Sequence, residues 1–115
     1  DDRKNILNAT AALVDMVDWA NNFNNIKSSK KIEEFEGKIV ELELQVFVAT
    51  HLSDYFGIVT IPSDGIPGTY LMLYPKNKAE ADSIKSIGPG QTIKIRGKIN
   101  GTYLGRIKIE PAFLI

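Results

Sequence analysis

From Gly37 to Ala49 apolar and polar residues alternate: Val40, Leu42, Leu44, Val46 and Val48 fall on one side, and Glu41, Glu43 and Gln45 on the other. A period of two is that of a half-buried β-strand. The same alternation predicts four further strands. Tyr55 to Ile61 is the second, and Thr69 to Tyr74 the third, with Leu71 and Leu73 on one face and Tyr70, Met72 and Tyr74 on the other. Gln91 to Asn100 is the fourth, with Ile93, Ile95, Gly97 and Ile99 inward and Lys94, Arg96 and Lys98 outward. Tyr103 to about Glu110 is the fifth, placing Ile107 and Ile109 inward.

Punctuation supports these bounds. Gly57 inside the second strand predicts a bulge or bend, of the kind a small barrel needs to close. The composition of residues 62–68 predicts a turn, Asn100-Gly101 a hairpin turn, and Pro111 the limit of the last strand. Two stretches read as helices instead. In residues 1–26, Ile6, Ala9, Leu13, Val17 and Ala20 recur at helical spacing beside a second row, Ala12, Met16, Trp19, Phe23 and Ile26, with a stop near Phe23 where asparagines accumulate. The breadth of that face predicts packing on the barrel, or self-association through the helix. After Pro75, Asn77 followed by Glu80 resembles a capping box, and Ala81, Ile84 and Ile87 form a short apolar stripe ended by Gly88-Pro89-Gly90.

Three strands, a short helix and a two-strand hairpin follow the order of the OB-fold, a five-stranded Greek-key barrel. The expected fold class is therefore all-β with helical additions. Residues 1–36 form an N-terminal helix and polar connector, and 37–115 the barrel. In that topology the first strand lies beside the fourth, so Glu41 and Glu43 face Lys94, Arg96 and Lys98 in a charge ladder.

Charge narrows the function classes. Fourteen basic and fourteen acidic side chains cancel, which argues against holding a polyanion by bulk charge. With no cysteine there is no thiolate chemistry and no zinc ribbon. No apolar run approaches the roughly 18–20 residues of a membrane span. The compartment stays open. His51 and Asp54 are too few for a metal, and Ser53, His51 and Asp54 are crowded into one loop, where a catalytic triad would converge from separate places. Neither an enzyme nor a cofactor is expected.

The segment EFEGKIVELELQVF, Glu34 to Phe47, resembles the start of the bacterial tRNA anticodon-binding-like OB-fold family, where an aromatic residue, a glycine and a lysine precede the first strand. The stretch from Gly88 to Ile115 is similar to that family's ending, with a glycine turn, a strand closing on Gly-Lys and an apolar finish. The resemblance covers residues 10 to 115. It implies the barrel and a preceding helix, and it brings no catalytic motif.

A binding face is the remaining reading. OB barrels bind over strands two and three, flanked by the first-to-second and fourth-to-fifth loops. Tyr55, Tyr70 and Tyr74 are the expected platform, Lys94, Arg96, Arg106 and Lys108 the expected cations, and His51 and Tyr103 stand on the flanking loops. The expected role is a non-enzymatic module for a protein, peptide or small polar ligand. The alternative is single-stranded nucleic acid, which would stack on the tyrosines and pair its phosphates with the basic residues.

Overall fold

A computed structural model describes residues 2–8, 36–62, 68–104 and 106–115. Among the described residues seven elements are seen: α1 (Asp2–Leu7), β1 (Ile39–His51), β2 (Phe56–Thr60), β3 (Thr69–Leu73), α2 (Lys78–Lys85), β4 (Thr92–Tyr103) and β5 (Arg106–Leu114). The strands close into a barrel in the order β1-β2-β3-β5-β4, all pairs antiparallel except β3 with β5. The inward row of β1, Val40, Leu42, Leu44 and Val46, is buried with Ile58, Leu71, Leu73, Ile93, Ile95, Ile99, Ile107 and Ile109. Burial on this scale drives the closure, since each fully buried Leu or Ile contributes about 1.5–3 kcal/mol.

The N-terminal helix begins as expected but is described only to Leu7. The remainder of the expected helix, with Trp19 and Phe23, lies outside the described residues, as do most of the connector and the turn at 63–67. The helix α2 follows its sequence signals. Asn77 Oδ1 accepts from the Glu80 amide at 2.9 Å, and Ile84 and Ile87 enter the barrel core. The cap glutamate does more than cap. Glu80 accepts from the Lys76 amide at 3.1 Å and receives both terminal nitrogens of Arg3 at 2.7 Å, tying α1 to α2.

The expected ladder between β1 and β4 is present. Glu41 stands opposite Arg96 and Glu43 opposite Lys94. Arg96 Nε donates to Glu41 Oε1 at 2.9 Å, and Lys94 Nζ lies 3.7 Å from the other oxygen. Both cations therefore have a structural explanation, worth roughly 0.2–1 kcal/mol per pair at a partly exposed surface.

Three expectations about the chain's punctuation fail. Asn100-Gly101 is not the hairpin turn, because β4 continues to Tyr103 and the chain reverses at Leu104, where φ is 49°. Gly101 instead takes φ 76° where β4 carries an extra residue against β5 between Ile99 and Thr102, the geometry of a glycine bulge. Pro111 does not end β5. It sits inside the strand where the register with β4 shifts between Gly97 and Ile99, a place where a missing N–H is tolerated. Gly57 marks no irregularity in β2, since it pairs in step with Thr50 and Met72. The bulge of that sheet lies in β1, between Val46 and Val48.

Candidate functional site

At Gln45 the pairing of β1 with β4 ends, and from Val46 onward β1 pairs with β2. The extra residue at that switch turns Phe47 and Val48 out together, 58% and 40% exposed. Across the outer surface the register then aligns Val48 with Val59, Val59 with Tyr70, and Tyr70 with Lys108. One row of side chains thus crosses β1, β2, β3 and β5.

Tyr70 lies down on this surface, and Gly57 explains how. A Cβ at Gly57 would sit 2.5 Å from the Tyr70 hydroxyl and 3.0 Å from Cζ, so the ring rests on bare backbone. Tyr103, from the β4–β5 hairpin, stacks on Tyr70 with ring centres 4.6 Å apart and planes 23° apart. Tyr55 neighbours Tyr70 closely enough to act on its hydroxyl, and its ring is 5.6 Å from that of Tyr74. The Tyr74 hydroxyl donates to Glu110 Oε2 at 2.5 Å, and Asn100 Nδ2 donates to the other oxygen at 3.1 Å. All four tyrosines therefore form one line, from the hairpin tip to a polar cleft of about 360 Å³ lined by Tyr74, Lys98, Asn100, Glu110 and Pro111.

The cations divide into two groups. Lys94 and Arg96 lie on the β1–β4 face, engaged with Glu41. Arg96 also donates to the backbone carbonyl of Leu7 at 2.9 Å, so it holds the end of α1. Arg106 and Lys108 are outward on β5, beside the tyrosines. Arg106 passes over Gly68, and its Nε is buried without a hydrogen-bond partner among the described residues. The structure thus brings together Tyr55, Tyr70, Tyr74, Tyr103, Arg106 and Lys108, and sets Lys94 and Arg96 apart. His51 is also elsewhere, stacked on Phe56 at 4.4 Å beneath α2.

The sequence pattern gives no role to Phe47 or Glu110, and it places Val48 with the apolar row of β1, which the bulge after Val46 overturns by turning that side chain outward. Phe47 did carry a signal. It follows Glu41, Glu43 and Gln45 in the outward phase, where an apolar side chain has no core to enter. The exposed large apolar residues Phe47, Val48, Leu52, Tyr103 and Leu104 all belong to the bulge, the β1–β2 loop or the hairpin tip; Ile115, at the chain end, is the exception among the described residues. An apolar border of this kind marks a contact surface. No three metal-ligating side chains come together among the described residues, and no helix there is long and apolar enough to cross a membrane.

Tyr70 and Tyr74 are held protonated. Tyr70 is pushed up to about 12, first by burial and then by neighbouring Tyr55; Tyr74 is pushed up to about 12, first by burial and then by Glu110. Both values lie above the ordinary 10.0. Their contribution to stability is therefore complete below pH 10 and lost as pH rises toward 12. Phenolate absorbance should show Tyr70 and Tyr74 ionising at higher pH in the folded protein than in denaturant. Early ionisation of Tyr70 or Tyr74, identified by Phe substitution, would contradict the packing described.

No protein-family model matches the sequence, and no curated protein is significantly similar to it. Solved structures do match in fold. Asparaginyl-tRNA synthetase from Pyrococcus horikoshii aligns over 71% of this chain at 16% identity with a TM-score of 0.56. The match spans only 20% of the synthetase. A Klebsiella pneumoniae protein described provisionally as a nucleic acid-binding lipoprotein aligns over 79% of this chain and 81% of its own, at 12% identity and a TM-score of 0.56. An OBody bound to hen egg-white lysozyme aligns over 71% and 85%, at 11% identity and 0.53. The barrel is an OB-fold. At these identities the likeness concerns the fold alone.

Proposed function

We propose that the chain is a non-enzymatic binding module that seats a polypeptide segment on the tyrosine face. The observation that carries this reading is the character of the face. Apolar side chains border the four tyrosines, whereas Lys94 and Arg96 of β4 are engaged by Glu41, and Arg96 also by α1. A polyphosphate crossing the face would find Arg106 and Lys108 at one end and, at the other, Glu110 in the cleft it shares with Lys98, with Asp54 also near Tyr74. A uniform run of negative charge is poorly matched to such a surface; a polypeptide, which varies its charge from residue to residue, is better suited. The OBody bound to lysozyme supports the idea that a barrel of this shape can serve a protein partner.

Single-stranded nucleic acid is the second reading. It is favoured by the half-exposed ring of Tyr103 beside two cations, by the resemblance to anticodon-binding-like barrels and by the provisional description of the Klebsiella protein. Titration separates the two. Peptides selected by display on the purified protein, and oligo-dT and oligo-U, are each followed by fluorescence anisotropy at low and moderate salt. The expected result is peptide binding weakened about tenfold or more by Tyr103→Ala, since buried aromatic anchors dominate such contacts. Gly57→Ala should weaken it too, because its methyl displaces Tyr70 from its bed while the flexible ring can move aside. Salt-sensitive oligonucleotide binding that Tyr103→Ala abolishes, with no face-dependent peptide, would replace the first reading by the second.

A further inference from the structure

We propose that the segment bound by the tyrosine face carries acidic side chains at alternate positions, read by Arg106 and Lys108, with apolar or aromatic residues between them. The inference rests on the polypeptide reading above and adds the chemistry of the partner. Arg106 and Lys108 are two residues apart on β5 and share its outer face. That spacing is about 6.6 Å. An extended peptide repeats its side chains along one edge at the same interval, so carboxylates at positions i and i+2 reach both cations.

Among the described residues neither cation has an acidic partner. Lys108 stands opposite Tyr70 in the β3–β5 ladder, with an aromatic ring where β1 supplies an acid to Arg96 elsewhere in the barrel. Arg106 has a buried Nε with no acceptor among the described residues. A buried donor left unpaired is a standing cost, relieved when a carboxylate arrives. The fold does satisfy its other arginines: Arg3 has Glu80, and Arg96 has Glu41 and Leu7.

The intervening residues of the peptide face the other way, across Tyr103 and Tyr70 toward Val59 and Val48. The far end of the tyrosine line sets the limit on acidity. Glu110 is held there by Tyr74 and Asn100, and a third or fourth carboxylate would be driven toward it. The face thus selects a short acidic stretch placed toward the hairpin, rather than a uniformly acidic chain.

Two peptides test this, one alternating Glu with Phe and Leu over six residues and the other with Gln at every Glu position, each titrated against the wild-type protein, Lys108→Glu, Arg106→Gln and Tyr103→Ala. The acidic peptide is expected to bind about tenfold or more tightly than the Gln peptide, with a salt dependence the Gln peptide lacks. Lys108→Glu should remove that preference, and a peptide with Lys in place of Glu should regain affinity for Lys108→Glu. Circular dichroism of each variant shows that the barrel is intact, and Lys108→Glu keeps the test open should Arg106→Gln unfold. Equal binding of the two peptides, weakened for both by Tyr103→Ala, would overturn the acidic preference and leave the polypeptide reading standing. Binding of neither peptide would overturn both.

Discussion

Gly97→Ala is expected to lower the stability of the barrel by about 1–3 kcal/mol, read as a lower urea midpoint at an unchanged slope. Gly97 is buried in β4, and a Cβ there would lie 2.3 Å from Ile109 Cγ2, 2.9 Å from the Pro111 carbonyl oxygen and 3.2 Å from Ala112 Cα. Two of those three atoms are backbone, in the segment where β5 shifts register, so no side-chain rotation relieves them. Removing a glycine also stiffens the unfolded chain, a gain of about 0.4–1 kcal/mol where the backbone is compatible. The clash outweighs it. A double-mutant cycle with Ile109→Ala gives the sharper check. Shortening Ile109 removes the nearest contact, so the pair should cost less than the sum of the two single changes, by about 0.5–3 kcal/mol. Strict additivity would mean that Gly97 and Ile109 do not meet.

The same strand shows what could be read from sequence. The five strands are legible because each has one face in the core, and period-two alternation reports that burial directly. The pairing of β1 with β4 is legible too, because Glu41 and Glu43 on one strand call for Arg96 and Lys94 on the other. Irregularities are not. Asn100-Gly101 carries the chemistry of a two-residue turn and serves as a bulge, because positive φ at Gly101 satisfies either use. Pro111 looks like a stop and is a register shift, because the lost N–H matters only where a partner carbonyl faces it. The outer face divides in the same way. Tyr70 and Tyr74 are visible at alternate positions in and just after β3, and Arg106 and Lys108 on β5 share the basic character of Lys94 and Arg96 on β4. The acids of β1 call for the β4 pair already in the sequence, whereas only the register shows that Lys108 faces Tyr70. Gly57 is the instructive case. Its smallness is explained by a ring from the neighbouring strand, an interaction no local pattern encodes.

Ile6→Ala should release α1 while leaving the barrel folded. Six residues are far too few for a stable helix in water, so α1 owes its structure to what it touches. Ile6 is 1% exposed, yet it stands apart from the barrel's own core cluster. Arg3 pins one end of the helix, bonded through both terminal nitrogens to Glu80 and lying 4.9 Å over the Phe113 ring. Arg96 holds the other end through the Leu7 carbonyl. Truncating a buried isoleucine costs about 2–5 kcal/mol, and a docked single turn has little more than that to lose. Amide exchange should therefore show α1 unprotected in Ile6→Ala and the strands β1 and β4 nearly unchanged. Equal loss of protection in helix and strands would mean that the two form one cooperative unit. Acid should act in the same direction. Glu80 is held below its ordinary range, first by the Arg3 hydrogen bonds. A lowered folded-state value means that the clamp is complete above the ordinary carboxylate pKa and is lost as pH falls below it. Exchange at α1 should then rise in acid before that of the barrel, and Glu80→Gln should bring the same loosening at neutral pH.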